Sequence, residues 1–323
     1  VYESNILPML RFTHIRDIDG CGWVEVNSKD FIVVDEEDRI SRCDIELKIK
    51  WTKINPIKKD AIAPFRVVSM DIETFSGDGK FPQAYREADK IIQIGSTFSR
   101  YGKSECYYQH MVTLGSCDPI EGADVESYEK EEDVILAWVN MMNKTKPDII
   151  TGYNIFYFDE KYIYDRSAHK TVQCKVEASM WSKLKYHECK FNQLKLSSSA
   201  LGDNHLRYYV TPGIVHIDIM KVIQKDYKLD SWKLDYVASQ FIRGEIISFK
   251  KKKIDGKKQK TAEQFCARKK NRRKLPRTKQ SSPQNLFGRI IFCRVICRSK
   301  KFRSKCFFCR THWWSKRQIR PKN

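Results

Sequence analysis

Segments with the periodicity of strands and of helices alternate along residues 65–241, and this order constrains the fold more than any other feature of the sequence. Residues 65–73 form a run rich in β-branched side chains, and a second apolar run follows at residues 91–98. Three further segments continue the alternation: a helix at 131–142, a strand at 147–152 and a helix at 156–166. Strands that alternate with helices favour a layered α/β architecture.

The regions on either side have shorter or weaker patterns. Residues 184–218 indicate a hairpin or extended excursion that returns in a strand at 214–219, and residues 219–241 are periodic and helix-like. Residues 1–63 mix short apolar alternations with polar turns, which is typical of a small β-rich domain. We therefore predict three regions along the chain: 1–63, 64–249 and 250–323.

Charge divides the chain into two unlike parts. Residues 250–323 contain 27 Lys and Arg against only Asp255 and Glu263, a balance of +25, whereas the first 249 residues have a balance of −5. The net charge of +20 therefore comes from the C-terminal region. It does not identify the whole chain as a basic nucleic-acid-binding protein.

Several features predict a reduced, intracellular setting. The 11 Cys residues have irregular spacing, which is typical of free thiols. No run of 18 apolar residues is present, so we expect no membrane-spanning helix. The first residues lack the basic and then apolar pattern of a signal peptide, and because the chain begins with Val we expect the true start to lie upstream. We expect a protein that is not secreted.

Two carboxylates, Asp71 and Glu73, lie at the end of the first strand of the α/β region. Side chains two residues apart on a strand project to the same face of the sheet. Such a pair forms an electronegative site that suits hard divalent cations. The D-x-E pattern is common by chance, so it indicates catalysis only together with further residues.

A second motif, Asn154-x-x-x-Phe158-Asp159, follows the strand at 147–152. Asp159, near a helix start, can bring a third carboxylate to the same site. Three converging acids can hold two Mg²⁺ ions about 3.5–4 Å apart, an arrangement used for phosphodiester hydrolysis. Asn154 can then hydrogen-bond to a nucleic-acid end on which Phe158 stacks. In the structural alternative, Asn154 caps the helix and Phe158 packs in the core.

Together, these two motifs resemble the first two exonuclease motifs of family B DNA polymerases, above all of delta-type and large-DNA-virus members. The resemblance covers about residues 1–245 and includes further matching segments at 2–12, 20–23, 81–82, 91–95, 146–154, 213–218, 226–229 and 234–238. It implies a ribonuclease-H-like exonuclease domain with a mixed sheet at 64–249, preceded by the remnant of a β-rich N-terminal domain.

The resemblance also implies the activity and its residues. Asp71, Glu73 and Asp159 would be metal ligands of a two-metal site for Mg²⁺, with Mn²⁺ as a substitute. Asn154 and Phe158 would contact the 3′ end of a DNA primer-template. The implied activity is 3′→5′ proofreading within a DNA-directed DNA polymerase, in the nucleus or a viral replication compartment. A sliding clamp or accessory polymerase subunits would be partners of the full-length protein.

The sequence departs from the family pattern after Asp159. The third exonuclease motif, Y-x-x-x-D, is not found there, and the single Tyr–Asp pair with this spacing, Tyr85 and Asp89, precedes Asp159. The polymerase motifs are absent too. We therefore predict a fragment that does not polymerise and that holds a second metal weakly. We interpret Asp218 as a structural strand residue and not as a metal ligand. His216, like the other His residues, has no recognisable partner, and we interpret it as a polar strand residue.

Residues 250–323 have three interpretations. Arg and Lys clusters at 268–270 and 272–274 favour a basic arm that neutralises phosphates. A zinc module is the second, because there are enough ligands for a tetrahedral site: Cys293, Cys297, Cys306, Cys309 and His312. The third, which we favour, is a frameshift or unspliced intron, because family likeness and charge balance change together near residue 247. Without a metal we expect this region to be disordered. The competing function is thus a non-catalytic DNA-binding fragment with a basic or zinc-binding tail.

Overall fold

The N-terminal region consists of short elements. The computed structural model describes residues 5–103, 105–198 and 202–241, so every interpretation of residues 250–323 lies outside the described residues. Helix α1 (Pro8–Ile15) begins with a proline, which suits the first turn of a helix because the missing N–H has no helical partner there. Four three-residue strands pair antiparallel in twos: β1 (Trp23–Glu25) with β4 (Asn55–Ile57), and β2 (Phe31–Val33) with β3 (Leu47–Ile49). The strands agree with the β-rich pattern, whereas α1 was not predicted, and the boundary at residue 63 stays a prediction.

A six-stranded mixed sheet follows, so the predicted α/β fold class is confirmed. Its strands are β5 (Arg66–Thr74), β6 (Ile91–Arg100), β7 (Cys106–Leu114), β8 (Asp124–Tyr128), β9 (Ile149–Gly152) and β12 (Val215–Asp218). Their order across the sheet is β12-β9-β5-β6-β7-β8. The pairs β12–β9, β9–β5 and β7–β8 are parallel, and β5–β6 and β6–β7 are antiparallel. The arrangement is consistent with a ribonuclease-H-like fold.

Two helices cover the apolar face of this sheet. Helix α2 (Glu131–Thr145) and helix α3 (Asp159–Ser167) share one buried cluster with alternate residues of β5, namely Val68, Met70 and Ile72. Trp138 of α2 donates from Nε1 to Ser96 Oγ of β6 at 3.2 Å, so its buried polar atom is satisfied. The other alternate residues of β5 are polar from Ser69 onward and include both predicted carboxylates.

The last part of the described chain adds a hairpin and two helices. Strands β10 (Lys190–Ser198) and β11 (Gly202–Val210) pair antiparallel, as predicted for this region. The helix-like stretch is two helices, α4 (Ile219–Asp226) and α5 (Leu234–Phe241), which pack together through a small apolar cluster. Trp232, between them, accepts a hydrogen bond at its carbonyl oxygen from Tyr153 Oη at 2.7 Å. This non-helical connection is thereby tied to the loop after β9. No helix in the described residues is long and apolar enough to cross a bilayer.

Candidate active site

The first two predicted residues, Asp71 and Glu73, lie on the last part of β5. In the β5–β6 pairing Asp71 is opposite Gly95 and Glu73 is opposite Gln93, so the two carboxylates share one face of the sheet. Both side chains are half-buried. Because Gly95 has no side chain, the residue opposite Asp71 on β6 does not cover the Asp71 carboxylate. The strand periodicity therefore placed this pair correctly.

Asp159 reaches the same site because β9 is short. Strand β9 pairs with β5 only as far as Ser69, so the edge of β5 beyond it has no neighbouring strand on that side. Asp159 is the first residue of α3, and its Oδ1 accepts the backbone N–H of Ile72 at 3.0 Å. Its side chain is almost completely buried, with the residue 2% exposed. A carboxylate is favourable at this position because the N-terminus of a helix carries partial positive charge.

The chain between β9 and α3 comes very close to β5 at Gly152. A Cβ at this position would lie 2.7 Å from the carbonyl oxygen of Met70 and would also overlap the side chain of Ile155. Only a glycine allows this approach without movement of the backbone. The loop that begins here holds Asn154 and leads directly to Asp159.

Asp71 and Asp159 form a pair of neighbouring carboxyl groups. The pKa of Asp159 is raised well above its usual range, chiefly by burial and next by the negative charge of Asp71. A hydrogen bond between the two carboxyl groups acts in the same direction, and the N–H of Ile72 opposes it. Two neighbouring carboxylates cannot both be charged at low cost unless a cation lies between them. Their oxygen donors are the type that Mg²⁺ and Mn²⁺ prefer, so the donor set fits a hard divalent ion.

Glu73 lies outside this pair. The structure brings Asp71 and Asp159 into contact, and it places Glu73 two residues further along the same face of β5. Within residues 5–103, 105–198 and 202–241, no three His, Cys, Asp or Glu side chains are arranged as a group that could hold a metal ion. The site therefore contains a preformed pair of carboxyls with a third carboxylate beside it.

Asn154 and Phe158 lie on the loop between β9 and α3. Asn154 has a left-handed backbone, with φ of 65°, and its carbonyl oxygen accepts the N–H groups of Tyr157 and Phe158 at 3.1 and 3.2 Å. The residue that caps α3 is Phe158, so the alternative role of Asn154 as the helix cap is wrong. Phe158 is half-buried and packs edge-on against Phe81, with 5.4 Å between ring centroids. Phe81 itself is 63% exposed, so this aromatic pair is partly open to solvent.

Asp218 holds the same loop from the neighbouring strand. Its Oδ1 accepts the N–H of Asn154 at 2.9 Å, and its Oδ2 accepts that of Phe156 at 3.2 Å. Oδ1 also accepts the N–H of Met220 at 2.9 Å, so Asp218 is the N-cap of α4. Burial raises the pKa of its carboxyl to about 6, and the three backbone donors act against this shift. These contacts give Asp218 the structural role that the sequence favoured.

His216 corrects the sequence interpretation. His216 lies on β12, so its interpretation as a strand residue holds, but it does have partners. Its Nδ1 lies 2.7 Å from Glu160 Oε1 and its Nε2 lies 3.0 Å from Thr211 Oγ1, and its side chain is almost completely buried. Glu160 Oε2 also accepts the N–H of Tyr209 at 2.7 Å. Glu160 directly follows Asp159, so this cluster fixes the first turn of α3 against β11 and β12. In the sequence, the one local indication of this cluster is that an acidic residue, Glu160, directly follows Asp159.

The Tyr–Asp pair with third-motif spacing has a structural role. Asp89 is buried and accepts the N–H groups of Gly77 and Gln83 at 3.0 and 2.8 Å. It thereby orders the loop at 75–90, which carries Phe81. Tyr85, on the same loop, is exposed. This pair does not join Asp71 and Asp159, which agrees with its position before Asp159 in the sequence.

Comparisons with known proteins identify the family of this chain. Residues 1–237 match the family model described as DNA polymerase family B, exonuclease domain. The chain is 35% identical over 309 residues to a DNA polymerase of Acanthamoeba polyphaga mimivirus, covering 75% of this chain and 18% of that protein. It is 34% identical over 243 residues to the DNA polymerase delta catalytic subunit of Dictyostelium discoideum, with coverages of 75% and 21%. It is 28% identical over 374 residues to a DNA polymerase of Pyramimonas orientalis virus, with coverages of 76% and 31%. The chain therefore spans less than a third of the length of each of these relatives.

Proposed function

Because the chain belongs to the family B DNA polymerases through their exonuclease domain, we propose that it removes nucleotides from the 3′ end of DNA in 3′→5′ proofreading. The family resemblance inferred from the motifs is thereby confirmed. The observation that carries the proposal is the carboxyl pair of Asp71 and Asp159, formed where β9 leaves the edge of β5 open. Exonuclease domains of this family generally depend on divalent metal ions, and this pair supplies the charge that such ions need.

The proposed metal ligands are Asp71, Glu73 and Asp159. Bound Mg²⁺ or Mn²⁺ would lower the pKa of an attacking water and neutralise charge that develops on the scissile phosphate. Asp159 contributes a donor that is fixed by burial and by the N–H of Ile72. Asp71 contributes the neighbouring donor, and Glu73 can complete the set from the same face of β5.

The proposed DNA contacts are Asn154 and Phe158. The backbone of Asn154 is held by Asp218, so its side-chain amide is presented from an ordered loop to the terminal nucleotide. The ring of Phe158 is half-buried, so one part of it packs against the core while the open part can stack on a base. Hydrolysis requires the terminal phosphodiester to lie over the carboxylates, and stacking of the last base would orient it there.

The relatives are longer proteins, and their names describe DNA polymerases. We propose that DNA synthesis on a primer-template, with a sliding clamp or accessory subunits as partners, belongs to a longer protein of which this sequence forms a part. Its place would be the nucleus or a viral replication compartment. These statements come from relatives that this chain covers only in part.

The Asp71→Ala variant tests the proposal. A 5′-labelled single-stranded oligonucleotide is incubated with the full chain and Mg²⁺, and shortening from the 3′ end is followed on a gel. We expect the wild-type chain to shorten the DNA, and we expect EDTA or Asp71→Ala to reduce the rate by at least about 100-fold. Asp60→Asn, an exposed carboxylate outside the site, is the control and should retain the wild-type rate. Metal-independent shortening, or equal rates for the wild type and Asp71→Ala, would refute the proposal.

A non-catalytic DNA-binding fragment is the second candidate function. Two observations favour it. The residues that the structure describes contain no group of three His, Cys, Asp or Glu side chains that could hold a metal ion, and the third exonuclease motif is not found after Asp159. Such a fragment would bind DNA equally in EDTA and in Mg²⁺, would not be affected by Asp71→Ala, and would lose affinity steeply with salt. The same preparations therefore separate the two functions when binding is measured beside hydrolysis.

A further inference from the structure

A cavity of about 480 Å³ lies between the loop at 75–90 and the outer face of α3. Its size falls within the range of about 300–1,000 Å³ that small-molecule sites in proteins occupy. The side chains that line it include an aromatic ring, an amide, two ammonium groups, a carboxylate and an imidazole: Tyr85, Gln83, Lys161, Lys170, Asp165 and His169. Neither the motifs nor the carboxyl pair assigns it a role.

The cavity begins one helical turn from the candidate active site. Lys161 follows Phe158 by three residues at the start of α3, so the two side chains lie on the same side of the helix. On the opposite wall, Gln83 follows Phe81 by two residues. The aromatic pair of Phe81 and Phe158 therefore joins the same two elements, the loop at 75–90 and the start of α3, that form the walls of this cavity.

Both walls of the cavity are held in place. Buried Arg166 of α3 donates from Nη1 to the carbonyl oxygens of Ala84 and Arg86 at 3.0 and 2.9 Å. Tyr162 donates from Oη to the carbonyl oxygen of Asp89 at 3.1 Å. The His169 ring places Nε2 3.3 Å from the Tyr85 carbonyl oxygen. These contacts join the loop to α3 and to the turn that follows it, so both walls of the cavity are ordered.

The exposed groups on the walls match the chemistry of a nucleotide. Tyr85 is 72% exposed, and the Arg86 guanidinium lies 5.8 Å from its ring centroid, so the other face of the ring is available for stacking on a base. The side chain of Lys170 is 77% exposed, and its ion pair with Glu87 is long, at 3.9 Å. An ammonium group in such a pair remains available to a phosphate, because exposed ion pairs contribute little. Lys161 is already paired with Asp165, which leaves Lys170 as the lining ammonium group that can contact a single phosphate.

We propose that this cavity is a nucleotide subsite of the exonuclease, in which a base stacks on Tyr85 and a phosphate contacts Lys170. The inference rests on the proposed function, since it extends the binding surface of the same site by one nucleotide beyond Phe158. The nucleotide is part of the single strand that enters the site or the monophosphate that hydrolysis releases. Both sources present the same base and phosphate to these walls.

The test uses the full chain with EDTA, so that DNA is bound but not cut. Fluorescence anisotropy measures the affinity for a labelled thymidine 12-mer, and thymidine 5′-monophosphate is added as a competitor. The double variant Tyr85→Ala/Lys170→Ala is compared with Tyr186→Ala/Lys29→Ala, which removes an exposed tyrosine and an exposed lysine that do not line the cavity. Thermal unfolding of each variant shows that it is folded. The single variant Lys170→Glu, at a surface position, keeps the test valid if the double variant is unstable.

We expect the cavity variant to bind the 12-mer at least about fivefold more weakly, because stacking on an aromatic side chain is worth about 1–3 kcal/mol per base. The control double variant should bind like the wild type. Lys170→Glu should bind more weakly and should lower the salt dependence by about one phosphate contact. A loss for the 12-mer alone identifies the entering strand as the source, and an equal loss for the monophosphate identifies the product.

Equal affinity of the wild type and the cavity variants, or an equal loss in the control variant, overturns the subsite. Hydrolysis by the wild type, measured separately with Mg²⁺, then shows whether the proposed exonuclease stands without it. If no DNA is hydrolysed while the cavity variants still lose binding, the proposed hydrolysis fails and the subsite remains.

Discussion

Substitution of Arg166 tests how much a buried ion pair between α3 and α2 contributes to the stability of the elements that carry the site. Its guanidinium is completely buried and forms an ion pair with Glu131 of α2, with Nε 2.8 Å from Oε1 and with Nη2 in contact with Oε2. Glu131 Oε1 also accepts the N–H of Ile91 at 2.8 Å. The Arg166→Met variant would leave a buried carboxylate without its cation and two loop carbonyls without a donor. Loss of one partner of a buried pair costs about 3–5 kcal/mol.

This cost is a large part of the stability that we expect, because domains unfold with about 5–15 kcal/mol. Urea unfolding can be followed by the fluorescence of Trp138 and Trp181, which pack edge-on in the core with ring centroids 5.3 Å apart. The double variant Arg166→Met/Glu131→Leu should lose less than the sum of the single variants, because it leaves no unpaired buried charge. A loss below about 1 kcal/mol for Arg166→Met, or additive losses in the double variant, would refute this reasoning.

Two further predictions concern the loop between β9 and α3. Gly152→Ala should lower the free energy of unfolding in urea by about 1–3 kcal/mol and should slow hydrolysis. The added Cβ would push against the Met70 carbonyl oxygen and displace the loop that leads to Asp159. Wild-type stability of this variant would contradict the close approach of residue 152 to β5. Asp218, whose pKa is raised to about 6, binds its proton more tightly in the folded than in the unfolded chain, so its contribution should make the chain less stable as pH rises from about 4 to 6. Asp218→Asn should remove that part of the pH dependence of the unfolding free energy. An unchanged pH profile would contradict the raised pKa of this carboxyl.

The sequence predicted the elements that have strong apolar periodicity. Strand β5 and helix α2 were found within a few residues of their observed ends because their buried faces repeat at the spacing of a strand and of a helix. Strands β7 and β8 were missed. Strand β8 lies at the sheet edge and is polar, with Asp124 paired to Tyr108 and Glu126 paired to His110. Those pairs cross between strands, so they leave no pattern within either segment.

The same limit applies to the site. Strand alternation placed Asp71 and Glu73 on one face, and the strand, turn and helix-start pattern offered Asp159 as a third carboxylate, but the reason for the position of Asp159 is tertiary. It depends on where β9 stops pairing with β5, which no local pattern reports. The partnership of Glu160 with His216 joins residues 56 positions apart, and the partner of His216 was missed for this reason. Long-range pairing of polar side chains requires the sheet order, which periodicity alone does not give.

The carboxyl pair explains why so much of the fold converges on one loop. Two adjacent carboxyls, one of them buried, oppose folding unless a proton or a cation compensates their charge. Asp159 is nevertheless held there by Ile72 on one side and, through its neighbour Glu160, by Tyr209 and His216 on the other. Asp218 fixes the loop before it. Many satisfied polar contacts hold this electrostatically unfavourable carboxyl in place. An unfavourable local arrangement persists only where the surrounding contacts determine the geometry, and such arrangements are typical of functional sites. A divalent cation would turn the same repulsion into a binding energy, and this is the physical reason why we propose hydrolysis at these residues.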